Sequence, residues 1–238
     1  MKSTIIANDK DHLRGIIKKE IEQNGNHCDL NHIDVSQLTD ISNAFKNLDF
    51  DGNISKWDVS KVENMSYLFA HSAFNGDISK WNTINVKDMT YIFAHSDFNG
   101  DISNWNTSNV EFMPRAFAGS NFNGDISQWN VSKVRSMSDM FAFSIFNGDI
   151  SNWDVSDLRI AEGMFKKSEF SKDLTNWKPY NLMRSENMFL SFKGVLPYWE
   201  KYGDEVEERK RAINAYCLEK ELSKELNNNH EITKKVKI

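Results

Sequence analysis

The sequence predicts an α/β repeat fold, in which coils of 24 residues stack into a solenoid. We expect short parallel strands on one face, short helical turns on the other, and helical caps at both ends. Three aromatic series keep the same step along the chain: Trp57, Trp81, Trp105, Trp129, Trp153 and Trp177; Phe45, Phe69, Phe93, Phe117, Phe141, Phe165 and Phe189; and Phe50, Phe74, Phe98, Phe122, Phe146 and Phe170. A fixed period of this length is typical of arrays in which each repeat buries its apolar face against its neighbours.

The first half of each coil has the pattern of a turn followed by a strand. Asn-Gly pairs are typical of turns because both residues tolerate positive φ. They recur in four coils, so we expect positive φ at the four glycines: Gly76, Gly100, Gly124 and Gly148. The following Ile-Ser-x-Trp stretch places Trp57 and Val59 on one face. This alternation predicts a short strand that pairs with the next coil at a spacing of about 4.8 Å.

The second half of each coil changes its hydrophobic period. Val62, Met65, Leu68 and Phe69 fall at positions i, i+3, i+6 and i+7, which predicts one or two helical turns. A full α-turn needs about 10 Å of lateral room, so it would curve the stack with the strands on its inner face. A tighter 3₁₀ turn would leave the stack nearly straight. Both alternatives stay open at this point.

Atypical segments at both ends predict caps, because the ends of a repeat array expose apolar faces. We expect an N-terminal cap at 1–27, with a strand within Lys2–Ala7 and a helix to about Asn24. About seven repeats then occupy 28–192. A C-terminal cap follows at 193–238, with a helix from about Asp204 to Leu226 and a polar tail from Asn227 to Ile238. Its apolar stripe consists of Val206, Ile213, Cys217, Leu218, Leu222 and Leu226. This helix covers the end of the array or, alternatively, joins two copies into a homo-oligomer.

The repeat resembles the BspA-like leucine-rich-repeat family, in the branch of Mycoplasma-type lipoproteins and bacterial surface proteins. The resemblance covers roughly 30–192 and rests on the pattern MFAFSIFNGDISNWDVSDL from Met140 to Leu158. It implies an LRR-like solenoid that binds proteins or adheres to surfaces.

Composition and charge exclude several classes of protein. The chain has 238 residues and a formal net charge of −5, with both signs interspersed, which disfavours nucleic-acid binding. No apolar run approaches the length of about 18 residues that spans a membrane. The N-terminal MKSTIIANDK lacks the apolar core of a secretory signal, so we expect a cytoplasmic protein. Two cysteines, Cys28 and Cys217, exclude a disulfide framework.

No catalytic pattern interrupts the period, so we expect no enzyme, no cofactor and no metal site. His71 and His95 occupy equivalent slots and should stack, but no further ligand repeats beside them. One aspartate per turn, as at Asp77, is better explained by turn capping than by calcium binding.

A protein-binding scaffold is therefore the leading hypothesis, because the outward residues vary from coil to coil. The expected contact is a ridge formed by Tyr67, Tyr91, Arg115, His71, His95 and Phe143. Aromatic residues and arginine are enriched at interface cores. The competing site is the strand face, which carries Lys56 and Lys80 beside a row of Asn and Asp. The alternative functions are a surface adhesion protein of the BspA-like type and an inhibitor that mimics nucleic acid.

Overall fold

The structure is a computed structural model that describes residues 3–235, with side chains described for residues 3–227. The elements are β1 (Ile5–Ile6), α1 (Lys10–Asn24), β2 (Ile33–Asp34), a 3₁₀ helix (Glu200–Tyr202) and α2 (Val206–Lys235). β1 and β2 are parallel, and Ile5 pairs with Ile33. Single parallel bridges 24 residues apart join the coils between β2 and the 3₁₀ helix: Asp40, Asn64, Asp88, Phe112, Ser136, Ile160 and Arg184. The chain is thus a repeat protein.

The core consists of the predicted aromatic columns, and their burial is confirmed. Trp105 is 3% exposed and Phe117 is fully buried. Equivalent rings stack from coil to coil, as Trp81 and Trp105 do with centroids 6.2 Å apart and planes at 6°. The Nε1–H of Trp105 also donates to the carbonyl of Ile78 in the preceding coil, at 3.1 Å. Each coil therefore buries its apolar side chains against its neighbours and satisfies the indole within the stack.

Alternate backbone N–H groups join each coil to the next, and we call this series the inter-coil backbone ladder. The N–H of Met65 donates to the Asp88 carbonyl at 2.9 Å, and that of Phe69 donates to the Ile92 carbonyl at 2.9 Å. The intervening N–H groups bond within the coil three residues back, as Leu68 does to the Met65 carbonyl at 3.1 Å. The segment is thus a series of overlapping turns.

The predicted helical turns and strands of the repeats are wrong. Between β2 and the 3₁₀ helix, the described residues form turns and single bridges, with no helix or extended strand. A helix is excluded for two reasons. The N–H groups that it would need for its own hydrogen bonds donate to the next coil instead. In addition, the spacing between coils joined by main-chain hydrogen bonds is only about half the diameter of an α-helix. The predicted strand is replaced by a turn, in which Asp77 Oδ1 accepts from the Ser79 N–H at 2.9 Å and the Trp81 N–H donates to the Ile78 carbonyl at 3.2 Å.

The glycines of the Asn-Gly pairs do not have the predicted positive φ. The glycines whose φ is positive are Gly25, Gly119, Gly163 and Gly203. At Gly76, an added Cβ would lie 2.8 Å from Phe74 Cε2 and 2.9 Å from the Gly52 carbonyl oxygen. Close packing therefore requires glycine here. The asparagine of the pair joins neighbouring coils, since Asn75 Oδ1 accepts a hydrogen bond from the Asn99 N–H at 2.8 Å.

Helices cover both ends of the stack. α1 buries Leu13 and Ile17 and ends at Asn24, and its C-cap is Gly25, whose φ is 83°. α2 buries Ile213 and the guanidinium of Arg209, which donates to the carbonyls of Pro179 and Leu182 in the last coil. The helical backbone of α2 continues beyond the predicted end at Leu226 to Lys235. Residues 1–2 and 236–238, which the predicted cap segments include, lie outside the described residues. The exact three-part division of the chain stays a prediction.

Replacing Trp105 by Ala should lower the free energy of unfolding by about 3–5 kcal/mol, the usual cost of deleting a buried large aromatic side chain. Urea denaturation of the two proteins measures the difference. Phe143→Ala is the matched control, because Phe143 is 55% exposed and should change the stability by less than about 1 kcal/mol. Equal effects of the two changes would contradict the assignment of the buried face.

Gly76→Ala should destabilise the chain by about 1–3 kcal/mol, the range for overpacking, although its φ lies outside the left-handed region. Phe74 is fully buried, so its ring cannot move aside cheaply. Gly15→Ala in α1 is the control: nothing lies within 4 Å of an added Cβ, and alanine favours the helix by up to about 1 kcal/mol. Thermal melts that show Gly76→Ala to be neutral would refute the packing explanation.

Candidate functional site

The ridge residues form two neighbouring columns on the outside of the inter-coil backbone ladder. Tyr67 and Tyr91 stack with centroids 4.5 Å apart and planes at 13°. His71 and His95 stack in the second column at 4.8 Å and 14°. Lys46 lies 4.3 Å from the centroid of the Tyr67 ring, a cation–π contact at the start of the first column. Residues one coil apart therefore form continuous columns on this surface.

Arg115 continues the first column and is fixed from both sides. Its guanidinium carbon lies 5.3 Å from the centroid of the Tyr91 ring, and its Nη1 donates to the Tyr91 hydroxyl. Its Nη2 lies 2.8 Å from Asp139 Oδ2 in the next coil. The hydrogen bond to Asp139 is the main cause that raises the pKa of Arg115, against a smaller opposing effect of burial. The guanidinium is thus charged and held in place without a partner molecule.

Left-handed backbone positions carry both columns. Positive φ occurs in each coil at the two ridge slots: Asn43, Tyr67, Tyr91, Arg115, Asp139, Gly163 and Asn187 in the first column, and Asn47, His71, His95, Gly119, Phe143, Lys167 and Ser191 in the second. Tyr67 and His71 are the third residues of two turns, which are closed by bonds from the Leu68 N–H to the Met65 carbonyl and from the Ser72 N–H to the Phe69 carbonyl. A positive φ at the third residue is typical of type II turns. Glycine and asparagine take this conformation readily, whereas bulkier residues pay roughly 1–2 kcal/mol.

A cleft of about 220 Å³ opens where Gly119 interrupts the second column. Tyr91, His95, Arg115 and Phe143 line it, so four of the six predicted ridge residues meet here. The His95 ring leans over Gly119 and occupies the place that a side chain there would need. On the far side, Phe143 is 55% exposed. The amines of Lys166 and Lys167 lie 5.9 Å and 5.8 Å from the centroid of its ring.

The charge around His95 disfavours its protonation. Burial is the largest cause that lowers its pKa from the ordinary value of 6.5, followed by the neighbouring His71 and Arg115. Burial, with the smaller effects of these neighbours, therefore favours the neutral form of the His95 imidazole.

The competing strand-face residues lie apart from the ridge. Lys56 and Lys80 are both exposed, and no hydrogen bond, ion pair or ring contact of residues 3–227 joins either to the ridge. The Asn and Asp row beside them belongs to turns: Asp58 Oδ1 accepts from the Ser60 N–H at 3.0 Å, and Asn106 Oδ1 accepts from the Ser108 N–H at 3.0 Å. These side-chain oxygens therefore already accept hydrogen bonds within the chain. The asparagines of the row are neutral, so they interrupt any acidic stripe.

The metal-ligating side chains of the described residues are not grouped into a metal site. Within residues 3–227, no group of three or more His, Cys, Asp or Glu side chains is arranged to hold a metal ion. The turn aspartates are engaged by the backbone, as Asp125 Oδ1 is at 2.8 Å from the Ser127 nitrogen. That hydrogen bond is the largest cause that lowers the pKa of Asp125.

Neither helix of the described chain has the length and hydropathy needed to cross a bilayer.

The apolar stripe of α2 continues past the stack. Leu218, Leu222 and Leu226 are 57%, 51% and 66% exposed, whereas Ile213 is fully buried. The first part of the helix thus covers the last coil, and the later leucines contact little. A homo-oligomer through this helix stays a prediction.

Three contributions to this surface are missing from the sequence-based site. Asp139 fixes Arg115, Gly119 leaves room for the His95 ring beside the cleft, and Lys46 contacts Tyr67 from outside the two columns. Asp139 and Gly119 occupy ridge slots of their coils, and the repeated Asn, Asp, His and Gly at these slots is a signal for left-handed backbone. Lys46 has no such periodic signal.

The chain is a repeat protein with stacked aromatic columns and a ridge of outward aromatic and basic residues. It belongs to the family described as "Mycoplasma protein of unknown function, DUF285", whose model matches it twice, at 15–121 and 95–199. Comparisons with curated proteins and with solved structures found no match.

The pKa of His95 should lie below 6.5 in the folded chain, and Arg115→Ala should raise it toward that value by removing one neighbouring cation. Because the folded pKa is lowered, the unfolded chain binds more protons, and His95 destabilises the fold as pH falls through about 6.5. NMR titration of the imidazole signals measures the shift, with Lys80→Ala as the control. An unchanged His95 pKa in Arg115→Ala would contradict the described electrostatic effect of Arg115.

Proposed function

We propose that this protein is a non-enzymatic scaffold, an LRR-like solenoid whose ridge binds another protein. The left-handed position of the exposed ridge side chains is the observation that supports this most. Asn43 and Gly163 fill the first-column slot in other coils and Asn47 and Gly119 fill the second, so the fold does not need tyrosine, arginine or phenylalanine there. Large side chains held in a costly backbone conformation on an exposed surface are typical of functional sites.

The charge of the ridge supports an acidic partner surface with an exposed aromatic side chain. Four basic groups, Lys46, Arg115, Lys166 and Lys167, lie against its rings, and Asp139 neutralises one of them. The cleft beside Gly119 has a volume of about 220 Å³, and His95 and Phe143 border it. A partner's aromatic ring can stack there, while neighbouring carboxylates pair with the lysines.

The absence of a catalytic role is part of this proposal. The ridge contains no nucleophile beside a base, and Arg115 already has an acceptor in Asp139. A rigid array offers a partner a long surface at little cost in ordering, which suits binding better than chemistry. We propose no cofactor.

We further propose that the repeat is of the BspA-like leucine-rich type and that its partner is cytosolic. The Met-Phe and Phe-Asn-Gly-Asp-Ile-Ser-x-Trp pattern supports the first point. The chain has two cysteines, Cys28 and Cys217, which are too few for a disulfide framework, and this supports a reducing compartment. Adhesion at the cell surface is the alternative, and cell fractionation followed by protease shaving of intact cells distinguishes the two.

Changing Tyr91 and Arg115 together to Ala should weaken partner binding by at least about 2 kcal/mol, the level of an interface hot spot. The partner is identified by cross-linking and mass spectrometry, purified, and titrated by calorimetry. Unfolding stability should change by less than about 1 kcal/mol, because Arg115 is exposed, Tyr91 is half-buried and neither belongs to the buried core.

Lys56→Glu with Lys80→Glu is the matched control on the other face and should bind normally. Normal binding by the Tyr91 and Arg115 variant, together with loss of binding by the lysine variant, would move the site to the strand face. Failure of every variant to alter binding would refute both surfaces.

A further inference from the structure

The inter-coil backbone ladder ends differently at its two termini. At the N-terminal end, the first coil presents carbonyl groups, and Arg14 of α1 donates to those of Asn43, Ala44 and Lys46. At the C-terminal end, the last coil presents N–H groups. The first of them, on Ser185, donates to Asp204 Oδ1 at 2.8 Å.

Three further N–H groups of the last coil have no acceptor among residues 3–235. They belong to Asn187, Phe189 and Ser191. One coil earlier, the equivalent donors all bond to the following coil: Gly163 to Glu186 at 2.9 Å, Phe165 to Met188 at 2.9 Å, and Lys167 to Leu190 at 2.8 Å. Asn187 and Ser191 are exposed, and Phe189 is half-buried. The ladder is therefore open at this end, with donors at every second residue.

A cavity of about 460 Å³ lies beside the open donors. Met188, Leu190, Leu196 and Trp199 supply its apolar lining. Trp199 is 1% exposed, and its Nε1–H has no hydrogen-bond partner in the described part of the chain. A buried donor without an acceptor is unfavourable and is rare in folded proteins. The cavity is thus bordered by a buried tryptophan whose indole N–H is not satisfied by residues 3–227.

The C-terminal cap covers the other half of the last coil. Arg209 of α2 donates hydrogen bonds to the carbonyls of Pro179 and Leu182, on the side of the buried tryptophans. In the half that carries the ladder, Trp199 packs against Phe189, but among residues 3–227 only Ser185 is hydrogen-bonded to the cap, through Asp204. The cap therefore completes the apolar core but leaves the donors unpaired.

We propose that this end binds an extended segment of a partner polypeptide. The partner's alternate main-chain carbonyls accept from Asn187, Phe189 and Ser191, and one apolar side chain fills the cavity against Leu196 and Trp199. Main-chain carbonyls match the donors because every internal coil satisfies the equivalent N–H groups in this way.

A second copy of the chain does not supply these acceptors. Two C-terminal ends facing each other would oppose donors to donors. At the N-terminal end, two of the carbonyls that correspond to the ladder acceptors, those of Ala44 and Lys46, already accept from Arg14, and helix α1 covers that end. The site lies at the end of the stack, so the proposal does not rest on the ridge and its partner.

The test uses the full chain, labelled with ¹⁵N, and a synthetic peptide of sequence RSENMFLSF, which copies residues 184–192. This segment supplies the carbonyls that the preceding coil uses, so it presents the acceptors that the open end lacks. Addition of peptide should shift the amide signals of Asn187, Phe189 and Ser191 and the indole signal of Trp199. In the free chain, these amides should exchange with solvent faster than those of Gly163, Phe165 and Lys167.

Leu196→Glu should weaken the peptide's affinity by at least about tenfold, because it places a carboxylate at the cavity. Leu190→Glu, on the same cavity, is a second variant in case the first disturbs the fold, which circular dichroism checks. Leu222→Glu on α2 is the control, since Leu222 and Leu196 are 51% and 49% exposed. The Tyr91 and Arg115 double variant should bind the peptide normally, which separates this site from the ridge.

Three outcomes would overturn the proposal. One is the absence of shifts at these amides with about 1 mM peptide. Another is protection of the three amides equal to that one coil earlier. The third is a concentration-dependent dimer that Leu196→Glu abolishes in sedimentation experiments, which would assign this end to a second copy.

Discussion

The main-chain hydrogen bonds between coils are the constraint on which the rest of the structure depends. Each coil donates from alternate residues to the next, as Met113, Arg115 and Phe117 do at 3.0, 2.8 and 2.9 Å. Coils held at that distance cannot contain an α-helix, because its diameter is about twice the spacing. The chain turns back on itself instead, with bonds to the third residue before and left-handed residues at two slots of each coil. The aromatic columns fill the interior that this spacing creates.

The sequence predicted the columns well, because burial follows directly from a period in large apolar residues. The burial of Trp105 and Phe117 could be predicted from the 24-residue step and from the requirement that repeats pack on one another. Local conformation was harder, since the spacing of Val62, Met65 and Phe69 is compatible with a helix and equally with overlapping turns. Hydrogen bonding to the next coil decides between them, and a single coil does not encode it locally. Gly76 illustrates the same difficulty: its glycine avoids Phe74 and the coil before it, a contact that turn statistics do not contain.

The same ladder explains where the candidate binding surfaces lie. It places two slots of every coil on the outside, where Asn or Gly would satisfy the backbone and where Tyr67, Tyr91, Arg115 and Phe143 stand instead. The stacking of Tyr91 and its contact with Arg115 follow from the slot period, but the cleft at Gly119 and the pairing with Asp139 require the geometry. The ladder also has a direction, so its two ends are chemically different, and Arg14 satisfies one end more completely than Asp204 satisfies the other.

The most direct test of this account is the identity of the carbonyl that accepts from the N–H of Phe93. Scalar couplings across hydrogen bonds, measured by NMR on the labelled chain, report that partner. The account predicts a coupling to the carbonyl carbon of Ala116 in the next coil, across a bond of 2.9 Å. A coupling to the carbonyl of Met89, four residues earlier in the same coil, would show an α-helical turn there and would contradict the inter-coil backbone ladder.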